Sequence, residues 1–285
     1  MVLLHVVDLD PALPALRPLG GFFVLRPAGV PPRPLPTLAE VYENRTWDVY
    51  RDPLTFRVRR VGRALRTPEE RVAASIAHQG LAARLWSVTL GCAVLYGRIP
   101  DLDPRLLRWD PEGSAPDDLW PAEIRPRPAR PGAPPAGTPD GTSAGTPDGT
   151  SAGTPDGTPG SLAGALAETV LDAHLEPLAA ALRARHRLAP GLLRGNAASA
   201  LAGASRQLQE WARAHGRPDA AARARALTAD LFAHPLLAPT GTLTEPGAAF
   251  RRRSCCLYYR VPGGGVCGDC CFTRPPRPSA HGRSG

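Results

Sequence analysis

The chain has 285 residues, 43% of them apolar, and a formal net charge of +8; no lysine occurs, so every strongly basic side chain is arginine. That length accommodates one large or two small domains around a sizeable core. The missing lysine excludes a P-loop lysine and a Schiff-base lysine, and the positive balance favours anionic partners, with nucleic acid a minor prospect among scattered arginines.

The first segment, Met1–Asp8, is apolar but too brief for a secretory signal, and it meets Asp8 and Asp10 at once. No uninterrupted apolar run of about 18 residues follows, so no membrane span is expected and the chain reads as cytoplasmic. Up to Ala39 the sequence is rich in proline and poorly periodic. The alternation Thr55-Phe56-Arg57-Val58-Arg59 predicts a strand. Thr67-Pro68-Glu69-Glu70 predicts a helix start, with Thr67 as cap, Pro68 in the first turn and Glu70 completing a capping box. Apolar residues at helical spacing run from Val72 to Ala93, with Gly80 and Gly91 as candidate breaks and Gly97 and Pro100 as the close.

From residue 126 to 160 the composition changes. The octapeptide Ala-Gly-Thr-Pro-Asp-Gly-Thr-Ser recurs from Ala136, Ala144 and, ending in Pro159, Ala152. Its only apolar side chain is alanine, too little to offset the entropy of ordering, so a disordered linker is expected. Ser161 then opens a second helical region whose stripe runs Leu162, Leu166, Val170, Leu171, His174, Leu175, Leu178 and Leu182, with Pro177 kinking or splitting it. Further helices are expected at about 190–215 and 218–231, and the small residues Ala197 to Ala204 would admit another helix closely. The fold class is therefore mainly α (α+β): a helical body in two parts, 1–125 and 161–250, the linker 126–160, a cysteine-rich motif at 251–272, and a disordered tail at 273–285.

That motif is where the chemistry concentrates. Five of six cysteines fall between Cys255 and Cys271, spaced C-C-x10-C-x2-C with Cys271 appended. In a reducing compartment such clustering signals metal or redox work. Three readings compete. Neighbouring Cα atoms sit about 3.8 Å apart, below the usual disulfide span of about 4.4–6.8 Å, so a Cys255–Cys256 bridge would be strained. Structural zinc would use Cys267-Gly268-Asp269-Cys270 well, but the adjacent pair Cys255-Cys256 points to opposite faces when extended. A [2Fe–2S] cluster needs four thiolates over a wider footprint, with Cys267 and Cys270 on one iron and Cys255 and Cys256 on the other. Gly263-Gly264-Gly265 would permit the return between pairs, Gly268 would free its N–H for a sulfur, and Leu257, Tyr258, Tyr259 and Val266 would form a partly dry rim. The cluster fits best of the three.

Other signals read more plainly. Gly263 to Gly268 matches G-x-G-x-x-G but opens no helix, so it is no nucleotide fingerprint, and electrons would come from a separate protein. Cys92 reads as a core thiol, His78 and His174 as satisfied or surface histidines, and Asn196 as a helix cap with substrate contact as its rival. Arg251 to Arg253 would either steer an anionic partner or form a solvated run.

The string Arg-Arg-x-Cys-Cys-Leu-Tyr-Tyr-Arg-x-Pro-Gly-Gly-x-x-Cys-x-x-Cys, from Arg252 to Cys270, closely resembles the C-terminal [2Fe–2S] signature of FhuF-type ferric-siderophore reductases. Two other stretches look familial: Gly80 to Trp86 with Gly97 to Asp101, and Gly195 to Ala204. The resemblance spans about 67–110 and 161–272 and leaves out the repeats. It implies cluster ligands at Cys255, Cys256, Cys267 and Cys270, with no catalytic residue beyond the cluster; Cys271 departs from the pattern. It also implies a cytoplasmic one-electron oxidoreductase acting on a ferric siderophore, hydroxamate in type, and drawing on a separate electron-donor protein or reductant. The rivals are an iron–sulfur redox or iron sensor and a zinc-stabilised binding domain.

Overall fold

Asp52 fixes the first long helix. Its carboxylate accepts the Leu54 N–H at 3.1 Å and the Thr55 hydroxyl at 2.7 Å, and it pairs with Arg185 at 2.7 Å. Helix α2, Pro53–Ala64, follows, with Leu54 and Val58 buried one turn apart. This helix replaces the strand expected at Thr55–Arg59. The local alternation was a fragment of a 3.6-residue period that Asp52 and Pro53 start. Asp52→Ala should cost about 2 kcal/mol in chemical unfolding, since it removes a cap and leaves Arg185 without this carboxylate.

The computed structural model describes residues 13–43, 52–127, 161–244 and 249–276. Before α2 come a 3-10 turn, Leu13–Leu19, and helix α1, Leu38–Glu43. Helix α3, Glu70–Tyr96, is buried on nearly every face and runs about 40 Å through the molecule. Its start differs from expectation. Glu69 stands at the cap position but its side chain caps no helix N–H, while Thr67 Oγ1 accepts the Glu69 N–H at 3.3 Å, before the helix proper. Nor do Gly80 and Gly91 break it. Each glycine costs about 1 kcal/mol relative to alanine, less than the burial of neighbours such as Leu81, Leu85, Trp86 and Leu90 returns. Gly97 ends it in a left-handed conformation, bonding the Ala93 carbonyl.

Arg84, in the middle of α3, is buried. It pairs with Asp118 at 2.8 Å and donates to the carbonyls of Phe22 and Val24. One guanidinium thus fastens the N-terminal segment and the short hairpin of β1, Leu107–Trp109, and β2, Leu119–Pro121, to the central helix.

Ser161 caps α4, Leu162–Ala167, by accepting the Gly164 N–H at 3.0 Å. The chain then widens into a π-helical stretch, Glu168–Leu175, before α5, Glu176–His186. Pro177 cannot donate and crowds the carbonyl of Ala173, so the helix loosens its register upstream rather than ending. The second half is completed by α6, Pro190–Ala214, and α7, Pro218–Phe232. The alanines from Ala197 to Ala204 are buried, and α6 makes its most extensive helix contact with α3. A second hairpin, β3 Gly241–Thr244 with β4 Ala249–Arg252, leads into the cysteine motif. The two halves share one core, the architecture is mainly α with a few short strands, and no helix among the described residues is long and apolar enough to cross a membrane.

The expected linker, 126–160, lies outside the described residues except for 126 and 127, and these belong to the body. Pro126 bridges Pro100, and Arg127 pairs with Glu168 at 2.6 Å. Of the expected tail, 277–285 also lie outside.

Candidate metal centre

The cysteine motif sits on the α3–α6 pair through polar contacts. Ser75 Oγ, on α3, donates to the Cys256 carbonyl at 2.7 Å. Asn196 Nδ2, on α6, donates to the Ser75 carbonyl and hydroxyl at 2.9 and 3.0 Å. Asn196 is therefore not the helix cap expected of it; it lies in the interior of α6 and braces the seat of Cys256. Ser254 Oγ donates to Gly191 O at 2.9 Å, and Arg252 Nη2 to Leu192 O at 3.1 Å. Gly195 permits this approach: a Cβ there would stand 2.4 Å from Ser254 Oγ and 2.8 Å from Arg252 Nη2. Arg260 adds an outer tie to Glu69 at 2.8 Å.

Within the motif the chain turns back as the glycines suggested. Gly263 has φ of 73°, and a Cβ on Gly264 would meet the Tyr258 carbonyl at 2.8 Å. Leu257 also has positive φ, 70°, which costs a side-chain-bearing residue about 1–3 kcal/mol. In that conformation its N–H donates to Cys255 Sγ at 3.2 Å. The Phe272 N–H does the same for Cys270 Sγ at 3.4 Å. Backbone donors to sulfur in this way favour the thiolate and orient it as a ligand.

The two cysteine pairs, about 37 Å apart if the chain from Cys256 to Cys267 were straight at about 3.4 Å per residue, are brought together. Cys256 Sγ lies 3.4 Å from Cys267 Sγ, so a close thiol pair joins the two halves of the motif. Cys256 is buried, while Cys255, Cys267, Cys270 and Cys271 are partly exposed. The Cys256 thiol is pulled down to about 6, first by the hydrogen bond it shares with Cys267, then by the Tyr258 N–H and the charge of Arg252. Cys267 moves upward by the same hydrogen bond. Burial pushes Cys255 up to about 11 and raises Cys271 as well.

The donor set suits an iron–sulfur group. Asp269, the nearest carboxylate in sequence, is occupied by Arg206 at 3.0 Å, which leaves thiols. Among the described residues no three His, Cys, Asp or Glu side chains gather closely enough to hold a single ion. A two-iron rhomb spreads four thiolates over a wider footprint than one tetrahedral ion does. The expected rim divides: Leu257 is buried, Tyr258 and Tyr259 are half-buried, and Val266 is exposed; Phe272, outside that expectation, is exposed too. Tyr259 and Phe272 meet edge to face at 5.9 Å.

Other sequence expectations resolve separately. Cys92 is a core thiol whose burial pushes it up to about 12. His174 is satisfied: Nε2 donates to Leu102 O at 2.6 Å, Nδ1 accepts from Tyr42 at 2.9 Å, and burial pushes it down to about 4. His78 is buried too, yet its Nδ1 has no partner. The glycine string opens no helix after Gly268. A cleft of about 1080 Å³ lined by Tyr42, Asp101, Arg105, Arg127 and Thr169 includes no residue of the motif. Sequence reasoning missed Ser75 and the burial of Arg252. Ser75 carries no signal, since it falls within an apolar helix; Arg252 stood in a run whose exposure a sequence does not reveal.

Residues 252–272 match the family model described as FhuF 2Fe-2S C-terminal domain. For this segment the resemblance stands, and the motif is a [2Fe–2S]-binding domain. No curated protein matches the chain.

Proposed function

We propose that the protein is a cytoplasmic ferric-siderophore reductase in which Cys255, Cys256, Cys267 and Cys270 hold the [2Fe–2S] cluster. The observation that carries this reading is the convergence of the thiols, Cys256 against Cys267, inside the segment that matches the 2Fe-2S family model. When bound, the cluster would supply one-electron chemistry between a separate electron-donor protein or reductant and hydroxamate-chelated Fe(III); Fe(II) is held less tightly than Fe(III) by an oxygen chelator.

The chain's residues provide the rest. Ser75 and Asn196 fix the backbone of Cys256, the Leu257 and Phe272 amides orient Cys255 and Cys270, and the partial exposure of four thiols leaves an open edge for donor and chelate. Val266 and Phe272 give that edge apolar contact surface, and Arg251 and Arg253 give it positive charge.

Anaerobically purified protein should show the visible absorption of a [2Fe–2S] centre with two irons and two sulfides per chain. After reduction and mixing with ferrioxamine it should yield Fe(II), captured by a ferrous chelator. A colourless protein with one tightly held zinc sinks the reading, and an intact cluster without Fe(II) release points to a sensor.

A further inference from the structure

Arg252 ends strand β4 three residues before Cys255, and it is only 2% exposed. Nη2 donates to Leu192 O, but among the described residues Nε and Nη1 reach no acceptor. Among the described residues no carboxylate pairs with it; its main-chain N–H bonds the Asp269 carbonyl, while the Asp269 side chain belongs to Arg206. Removing one partner from a buried ion pair costs about 3–5 kcal/mol, because the remaining charge is uncompensated. Arg252 stands in that uncompensated condition. The bond to Asp269, which stands between Cys267 and Cys270, sets Arg252 against the cysteine motif, and its charge favours the thiolate of Cys256. His78, close enough to feel the same charge, is held neutral by burial and offers no compensation.

We infer that Arg252 is the buried counter-charge of the iron–sulfur group, and that its free Nε–H and Nη1–H edge holds the reduction potential of the site up. Four thiolates outweigh the positive charge of an iron–sulfide core, so the group is anionic and gains one more negative charge on reduction. A fixed guanidinium on the dry side therefore stabilises the reduced state more than the oxidised one, and hydrogen bonds towards sulfur act in the same direction. Its neighbours Arg251 and Arg253 are exposed, where solvent and salt weaken their charge. The cavity for the guanidinium is shaped by Gly195. Arg252 is thus a positioning and tuning residue, not a ligand.

This inference rests on the [2Fe–2S] reading above, and two separate readouts keep them apart: the visible spectrum reports the cluster, and the potential reports Arg252. The full chain would be titrated spectroelectrochemically as wild type, R252K, R252Q and R251Q. In R252Q the reduction equilibrium should weaken at least tenfold, a fall of about 59 mV for one electron, with the cluster spectrum kept. R252K, which keeps the charge but not the forked donors, should fall by less, and R251Q by least. An unchanged potential in R252Q, or a shift no larger than that of R251Q, overturns the inference. If R252Q assembles no cluster, R252K decides, and an unchanged potential there overturns it equally. A wild-type chain that assembles no cluster sinks both readings, and its spectrum reveals this first.

Discussion

Cys256→Ser should strip the protein of iron, lowering the iron content of anaerobically reconstituted protein at least tenfold and ferric hydroxamate reduction to background. Of the five clustered thiols Cys256 is the most buried, and its backbone is the best fixed, by Ser75. Its sulfur also lies 3.4 Å from that of Cys267, across the turn. A serine hydroxyl is harder than a thiolate and stays protonated where the cysteine ionises, so it replaces neither the bond nor the charge. Retained helicity by circular dichroism would separate ligand loss from unfolding. The x2 spacing and the Phe272 amide single out Cys270 over its neighbour. Cys270→Ser should therefore lose or distort the visible spectrum while Cys271→Ser keeps it. The reverse outcome would move the fourth ligand to Cys271.

The largest effect on stability should come from Asp118→Ala, with an expected loss of about 3–5 kcal/mol in urea unfolding. The substitution leaves Arg84, 1% exposed, as a buried cation whose remaining partners are carbonyls. These contacts hold the 22–24 segment and the first hairpin to α3, so the loss should appear as lower cooperativity as well as a lower midpoint. An exposed pair serves as the comparison. Removing Glu112, which meets Arg33 at 3.1 Å with both side chains about half exposed, should change stability by well under 1 kcal/mol. Equal losses at the two sites would refute the weight placed on burial.

Much of this was legible in the sequence because local chemistry and tertiary packing agreed. Ser161 before a leucine stripe, Pro190 and Pro218 at helix starts, Gly97 at a helix end and the small-residue face of α6 all read correctly. Errors arose where a short pattern was ambiguous. Five alternating residues at Thr55 are also five residues of a helix, and only the cap at Asp52, outside that window, decides. Gly80 and Gly91 looked like breaks because propensity is local, whereas burial on every side of α3 is not. At the metal centre, spacing and resemblance suggested four candidate ligands, but two facts depended on the third dimension. One is that Cys256 faces Cys267 across the turn; the other is that one arginine in a run of three is buried with open donors while its neighbours are solvated.

The seat of Cys256 also constrains when the site can come into being. Ser75 and Cys256 are 181 residues apart in sequence, and Asn196 lies 121 beyond Ser75. Contacts of such separation form late, because their loop-closure entropy is met only after nearer contacts are made. The thiols also follow, in order of synthesis, both helices on which they rest, and chains fold from the N-terminal side as they are made. Until the two helices are docked the Cys256 backbone has no seat, so the ordered arrangement of the thiols depends on contacts far apart in the chain.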